Sequence, residues 1–578
     1  MTYLITDSTT FADAAIDGFV LANPRHVRRA SGGVIRSTVI PDGRVGVVIG
    51  GGSGHYPAFA GLVGPGLASG AVCGNIFASP SSGQAYRVSH AVERGAGVLL
   101  AYGNYAGDVL QFGQAVERLK GDGIDARMIA VTDDVASASA DEIGKRRGIA
   151  GDLTVFKVAG AAAEAGASLD EVERLAHRAN DRTRTFGVAF TGCTLPGATE
   201  PLFTVPEGMM AIGLGIHGEP GLGEVPVTTA PELAELLVSR LLGELPEGIT
   251  TPEGQRAVVL LNGLGSFKYE EMFVVFGAIH SLLSDAGVQI ASSESGELVT
   301  SLDMAGVSLT LFWVDDELEN LWDAPADTPG YRTARIAADL DTAVAAGATV
   351  AASRQKASTI DAAGAAAALG YARVVHAMIL ASEEEFGRID AVAGDGDHGI
   401  GMSRGVSGAV SAAEVVVAEG GSLKELLAEA GEAWSEHGGG TSGALWGIAL
   451  TAAGASLPSD TAIDPAAVSV AVDAALAAIQ KLGKAQVGDK TLVDAFVPFA
   501  ERLSASVGDD LPLPAAWAIA AEASLQAAAA TAQLKPRLGR ARPHVERSLG
   551  HPDAGATSLS RIAVTISDAM ATDPTQKD

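Results

Sequence analysis

Val45-Gly46-Val47-Val48-Ile49 runs without a break into Gly50-Gly51-Gly52-Ser53-Gly54-His55. The first five residues are apolar and mostly β-branched, which predicts a buried strand. The small residues after it predict a turn whose backbone lets a ligand approach closely, with N–H groups turned toward its oxygens. The combination recurs downstream. Gly97-Val98-Leu99-Leu100-Ala101-Tyr102 delivers Gly103, Asn104 and Tyr105 and then Gly107-Asp108 at a helix start, and Met128-Ile129-Ala130-Val131 leads to Asp133-Asp134. Alanine-rich helical stretches separate these strands, the alternation expected of a covered, mostly parallel sheet. In such sheets, sites form outside the carboxyl ends of the strands.

From about residue 186 the texture changes but the strand-helix alternation continues, with strands predicted at 210–214, 257–261 and 307–311. This gives a second α/β lobe, so residues 1–335 form one α/β domain of two lobes, roughly 1–185 and 186–335. Inside the second lobe, Gly213-Leu214-Gly215-Ile216-His217-Gly218-Glu219-Pro220-Gly221 surrounds one histidine with glycines, which leaves its imidazole accessible as a nucleophile. Two prolines and a glycine between Asp323 and Gly330 end the domain's pattern, and residues 336–357 read as a linker. Beyond it, strand-like runs give way to helical ones at 361–382, 423–434, 443–454, 466–482, 491–507 and 514–532. Residues 358–574 therefore read as an all-helical bundle.

The breaks in that bundle hold its polar chemistry. Asp390, Asp395 and Asp397 place three carboxylates in the stretch Ile389 to Gly399, and such crowding calls for a hard cation such as magnesium or calcium. An EF-hand started at Asp395 fails, because Ile400 and Val406 stand where glycine and glutamate belong. Read as G-x-G-x-x-G, the same stretch would set two aspartates against a pyrophosphate, so bound metal is required. Gly438 to Gly443, Gly488 to Thr491 and Gly539 to Ser558 add glycines, hydroxyls and arginines suited to binding and covering an anion. No G-x-x-x-x-G-K-[ST] occurs, so this is the inventory of a metal-nucleotide site without a P-loop.

Composition narrows the partners. At 578 residues the chain exceeds one core, and 47% hydrophobic with 19% charged residues is a globular balance. A formal net charge of −29 speaks against nucleic acid and anionic membrane, and for small-molecule chemistry. Cys73 and Cys193 are the only cysteines, so no disulfide framework is implied and a cytoplasmic location is expected. The N-terminal residues lack the pattern of a signal peptide, and no uninterrupted apolar run reaches membrane-spanning length.

GGGSGH at 50–55, NYAGDV at 104–109, GIHGEPG at 215–221, GDGDHG at 394–399, GGTSGAL at 439–445, GDKT at 488–491 and GHPDAGATS at 550–558 resemble the motifs of one family, in its order. That family is the single-chain ATP-dependent dihydroxyacetone kinases, erythrulose (tetrulose) kinases included, and the resemblance covers nearly the whole chain. It implies a ketose-binding domain followed by a helical domain for ATP with magnesium. By resemblance, His217 adds to the ketose carbonyl to form a hemiaminal, Asp108 is the base, and His55 orients the sugar. Gly52, Ser53, Gly54, Tyr56 and Gly103 take the positions of sugar-binding residues. Asp390, Asp395 and Asp397 match ligands of two magnesium ions. His398, Gly440, Thr441, Ser442, Gly488, Thr491, Arg540 and Asp553 match nucleotide-binding positions, with 539–558 as a lid. A homodimer through the N-terminal domain is also implied.

The chain departs from the family pattern at three pocket positions. Gly103 replaces a usual lysine, Tyr56 a glutamate, and Phe59 a histidine, which points to a roomier pocket and a four-carbon ketose such as erythrulose, with dihydroxyacetone as the alternative. Pro543 and Val545 depart from the usual lid. Relatives of the first domain also serve as non-catalytic sugar sensors, and some members cyclise part of FAD as a lyase in the metal site. Because the acidic loop and His217 fall in different domains, catalysis must bring the domains, or those of two subunits, together.

Overall fold

The computed structural model describes residue 4 and residues 10–334, 356–459, 461–538 and 545–572. It divides into two compact units, Met1–Asp341 and Thr342–Asp578. Apart from residues 356 and 357, the expected linker 336–357 lies outside the described residues, as do Arg540 and Pro543 of the expected lid.

The first unit holds two six-stranded sheets. Sheet one comprises β1 (Val27–Ala30), β2 (Gly33–Arg36), β3 (Gly46–Ser53), β4 (Gly70–Ile76), β5 (Val98–Gly103) and β6 (Ala126–Val131), in the order β1-β2-β4-β3-β5-β6. The pairs β3–β4, β3–β5 and β5–β6 are parallel, as the alternation predicts. Side chains alternate in direction along each strand. Val47, Ile49, Leu99 and Ala101 enter the central core, while Val48, Val98, Leu100 and Tyr102 pack beneath the helices Ser82–Val92 and Ala106–Gly121. From β3 the chain goes to β4 on one side and then to β5 on the other, so the end of β3 is a switch point where a crevice forms.

β3 runs on through the glycine triplet, where a turn was predicted after Ile49. The reason is close packing: a Cβ would lie 2.7 Å from the Val72 oxygen at Gly50, 2.5 Å from the Phe59 ring at Gly51 and 2.8 Å from the Ala78 nitrogen at Gly52.

Sheet two comprises β7 (Thr183–Ala189), β8 (Met209–Ile212), β9 (Gly223–Pro226), β10 (Arg256–Gly263), β11 (Gln289–Gly296) and β12 (Gly306–Val314). The α/β class holds, but the parallel pairing belongs chiefly to sheet one. In sheet two only β10–β11 is parallel, and β10–β12, β12–β7, β7–β8 and β8–β9 are antiparallel. Val258 and Leu260 face the same central core as sheet one, and Val259 and Leu261 face the helices Ala230–Leu242 and Tyr269–Asp285. Between the sheets, the helix Asp152–Ala165 is buried along almost its whole length. The proline-bearing stretch after residue 323 packs onto this unit, with Ala326–Asp327 pairing Arg332–Thr333 and Tyr331 buried.

The second unit is helical. All six predicted helices are present, at Thr359–Ala381, Leu423–Gly438, Gly440–Ser456, Pro465–Gly483, Leu492–Gly508 and Leu513–Ala530. Four more emerge, among the described residues, from stretches read as loop or left unassigned: Glu383–Asp390, His398–Ala418, the short Val545–Ser548 and Ala554–Thr572. Thr359–Ala381 and Pro465–Gly483 are long and apolar enough to cross a membrane by length and composition, with hydropathy 1.4. Each nevertheless carries charged residues, Asp361 and Arg373 in one and Asp473 and Lys481 in the other, and each sends residues such as Ile379 and Ile479 into the bundle's cores.

Candidate active site

Loops at the carboxyl ends of β3 and β5 meet the 213–221 loop that follows β8. His217 Nδ1 lies 2.8 Å from Glu219 Oε1, and the His217 backbone N–H donates to Glu219 Oε2 at 3.1 Å. Burial alone would raise the Glu219 carboxyl, but its hydrogen bond to His217 and the attraction between the two hold it down to about 2. The other ring nitrogen, Nε2, lies 3.0 Å from His55 Nε2. His55 Nδ1 is 2.6 Å from the Thr300 carbonyl oxygen, which can only accept, so Nδ1 carries the His55 proton. Burial, reinforced by His217, pushes His55 down to about 3, which keeps the ring neutral with a lone pair on Nε2. The hydrogen between the rings therefore sits on His217 Nε2, and removing it frees that nitrogen's lone pair. Phe77 and Tyr105 stand edge-on to the His217 ring, with centroids 5.2 and 4.8 Å away.

Asp108 opens the helix Ala106–Gly121 and is buried. One carboxylate oxygen accepts from Ser79 Oγ at 2.7 Å, and the other is buried with no partner among the described residues. Burial raises this carboxyl from its ordinary range, with the Ser79 hydrogen bond acting against it. A narrow cavity brings His55, Asp108, His217, Gly52 and Gly103 together. Ser53, Gly54 and Tyr56 do not reach it. They line a neighbouring apolar cavity, and the Ser53 hydroxyl is committed to the Gly74 carbonyl at 2.7 Å. Glu219, Tyr105 and Asp152 were missed as site residues. Glu219 lay inside a quoted motif, yet its role depends on a loop that folds back on itself, which spacing does not show.

In the second unit a cavity is lined by Asp390, Asp395, Asp397, His398, Gly440, Thr441, Ser442, Thr491 and Asp553. Asp390 ends one helix and His398 begins the next, so the acidic stretch is a short corner rather than a long loop. One carboxylate oxygen from each of Asp390, Asp395 and Asp397 falls within 4.8 Å of the others, a set that fits a hard cation. Gly394 makes room for it, since a Cβ there would lie 2.3 Å from Asp390 Oδ1. Gly440 and Thr441 start a helix, giving the N-terminal donors expected of an anion site.

Several of these expected positions also hold the scaffold together. His398 is buried, with Nε2 3.0 Å from Ser558 Oγ. Thr491 caps the helix Leu492–Gly508. Asp553 accepts from the Ala556 N–H at 2.8 Å, and burial pushes its carboxyl up to about 6. Gly488 turns the backbone with φ +98° and is not part of the lining. Lys490 and Arg404 line the cavity and were not assigned. Lys490 sat in the quoted GDKT motif, whereas Arg404 carries no local signal.

Residues 17–330 match the Dak1 domain and residues 392–568 the DAK2 domain. The chain is 53% identical to the L-erythrulose kinase of Pectobacterium atrosepticum, across 100% of this chain and 98% of that protein. It is 52% identical to the D-erythrulose kinase of Mycolicibacterium smegmatis, across 99% of each. The crystal structure of the dihydroxyacetone kinase from C. freundii in complex with AMP-PNP and Mg2+ superposes with TM-score 0.61 at 30% identity, covering 98% of this chain and 99% of that one. With both domain models matched in tandem and full-length relatives at half identity, this chain belongs to the single-chain, ATP-dependent dihydroxyacetone kinase family and is a kinase.

Proposed function

We propose that this kinase transfers the γ-phosphoryl group of ATP to a terminal hydroxyl of a short ketose held covalently on His217, with a tetrulose such as erythrulose preferred over dihydroxyacetone. The observation that carries the reading is one small cavity holding His217 Nε2, the neutral His55 beside it and the open oxygen of Asp108. The erythrulose activity named for relatives at 53% and 52% identity supports the tetrulose.

In this mechanism the His217 Nε2 proton passes to His55, and the freed lone pair adds to the carbonyl carbon. The carbonyl π bond breaks, and its oxygen takes the proton back from His55, giving a hemiaminal. Nδ1 of the substituted ring stays against the Glu219 carboxylate, which holds the ring in place. Such capture needs a carbonyl, so it rejects glycerol, which offers the same hydroxyls without one. Asp108 takes the proton from the terminal hydroxyl as that oxygen attacks phosphorus, and its raised proton affinity suits a general base.

Asp390, Asp395 and Asp397 would hold magnesium, two ions in our reading. Bound there, magnesium neutralises charge on the ATP phosphates. The helix start at Gly440 to Ser442 offers N–H donors to those phosphates. A homodimer through the N-terminal unit belongs to this reading, supported by apolar side chains such as Phe273 and Val274 that are 56% and 64% exposed. So does a cytoplasmic location, supported by two free cysteines.

The test is coupled ADP release with magnesium-ATP across D- and L-erythrulose, dihydroxyacetone, glyceraldehyde and glycerol, together with intact-mass detection of a sugar adduct. Erythrulose turns over fastest, and the adduct disappears in His217→Ala. A protein that uses glycerol as well as any ketose sinks the capture mechanism.

A further inference from the structure

Asp152 is a second carboxyl on the His217 cavity, at the first turn of the helix between the two sheets, and it is 3% exposed. Its Oδ1 is buried with no hydrogen-bond partner among the described residues. A buried polar group without a partner is costly, and most such groups are satisfied by something. The charged groups acting on it, Asp133 and Asp108, are both of its own sign. Asp133 is itself engaged, accepting the Ile149 and Gly151 backbone N–H groups at 2.8 and 2.7 Å.

Two glycines leave Asp152 bare toward the cavity. A Cβ on Gly148 would lie 2.8 Å from Asp152 Oδ1, and one on Gly103 would lie 3.4 Å from Oδ2 and 3.1 Å from the Gly148 oxygen. Any side chain at 103 would fill the corner in front of the acid.

We propose that Asp152 determines specificity by hydrogen-bonding the additional hydroxyl that distinguishes a four-carbon ketose from a three-carbon one, inside the corner kept open by Gly103 and Gly148. The proposal rests on the ketose reading of the cavity. Burial, and then the neighbouring Asp133 and Asp108, push the Asp152 carboxyl well above its ordinary range, which favours its protonated form. A protonated carboxyl offers one O–H donor and acceptor oxygens, the complement of an alcohol. The terminal hydroxyl that receives the phosphoryl group lies instead at Asp108.

The test compares KM and kcat of the wild type, Asp152→Ala and Asp152→Asn for D- and L-erythrulose and for dihydroxyacetone, with thermal unfolding of each protein alongside. Asp152→Ala raises KM about tenfold for the better erythrulose enantiomer and less than about threefold for dihydroxyacetone, the size of one lost hydrogen bond. Asp152→Asn keeps a donor and an acceptor and returns the erythrulose KM to within about threefold of wild type. Should Asp152→Ala fail to fold, Asp152→Leu supplies the same comparison at closer volume. An erythrulose KM that does not move, or one that rises equally for dihydroxyacetone, overturns the proposal while wild-type ketose turnover leaves the capture reading standing. A wild type that uses no ketose better than glycerol overturns both.

Discussion

Single residues show both what the sequence reveals and where it stops. His55 and His217 stand 162 positions apart with Asp108 between them, yet the fold sets all three on one cavity. Asp152 on that cavity and Glu219 behind His217 went unread, because a carboxylate's importance here comes from burial and from what faces it. Burial also gives Asp152 a measurable signature. Its folded proton affinity is raised, so the native state keeps a proton that the unfolded chain releases above about pH 4, and stability falls as pH rises through the folded pKa. Asp152→Asn removes that dependence. The variant's Tm exceeds the wild type's at pH 7, and the gain shrinks to nothing near pH 4, as thermal melts at the two pH values will show. A gain of equal size at both would mean the carboxyl is ionised in the folded protein.

Among elements, six of the twelve strands in the two large sheets and six helices of the second unit were legible from apolar periodicity, whereas the helix His398–Ala418 was not. Its glycines at 399, 401, 405 and 408 resemble loop residues in composition. In the fold they let neighbouring segments approach closely: a Cβ would lie 2.3 Å from Trp434 Nε1 at Gly405, 2.3 Å from the His437 ring at Gly408 and 1.9 Å from the Glu383 oxygen at Gly399. Tertiary contact overrides the low helix propensity of glycine. Gly405→Ala therefore destabilises the helical unit, by about 1–3 kcal/mol for an overpacked site, read from denaturant midpoints. If stability instead rises by the amount usual for Gly→Ala in a helix, the Trp434 contact is unimportant. The antiparallel pairing of sheet two was hidden for a related reason. Strands covered on both faces are apolar throughout, and such runs do not reveal their partners' direction.

For the whole molecule, the proposed chemistry divides between the two compact units, so each half can be disabled separately. Asp395→Asn is expected to abolish ADP release while the ketose adduct on His217 still forms, and His217→Ala to lose the adduct while magnesium-ATP still binds, measured by intact mass and by nucleotide titration. Loss of both functions from either single change would indicate a fold defect rather than a lost ligand. The tandem order of an α/β unit and a helical unit was readable from pattern alone, but the partners of each cavity-lining residue were not. The glycine triplet in β3 carries a consequence for how this chain can change over generations. Every side chain heavier than hydrogen at Gly50, Gly51 or Gly52 meets backbone or ring atoms within 3 Å, so the floor of the pocket is closed to variation. New substrate preferences must arise at its wall, and at Gly103, where an added carbon would lie 3.1 Å from the Gly148 oxygen and 3.2 Å from the Tyr105 ring, a side chain is admitted only if those neighbours give by a few tenths of an ångström.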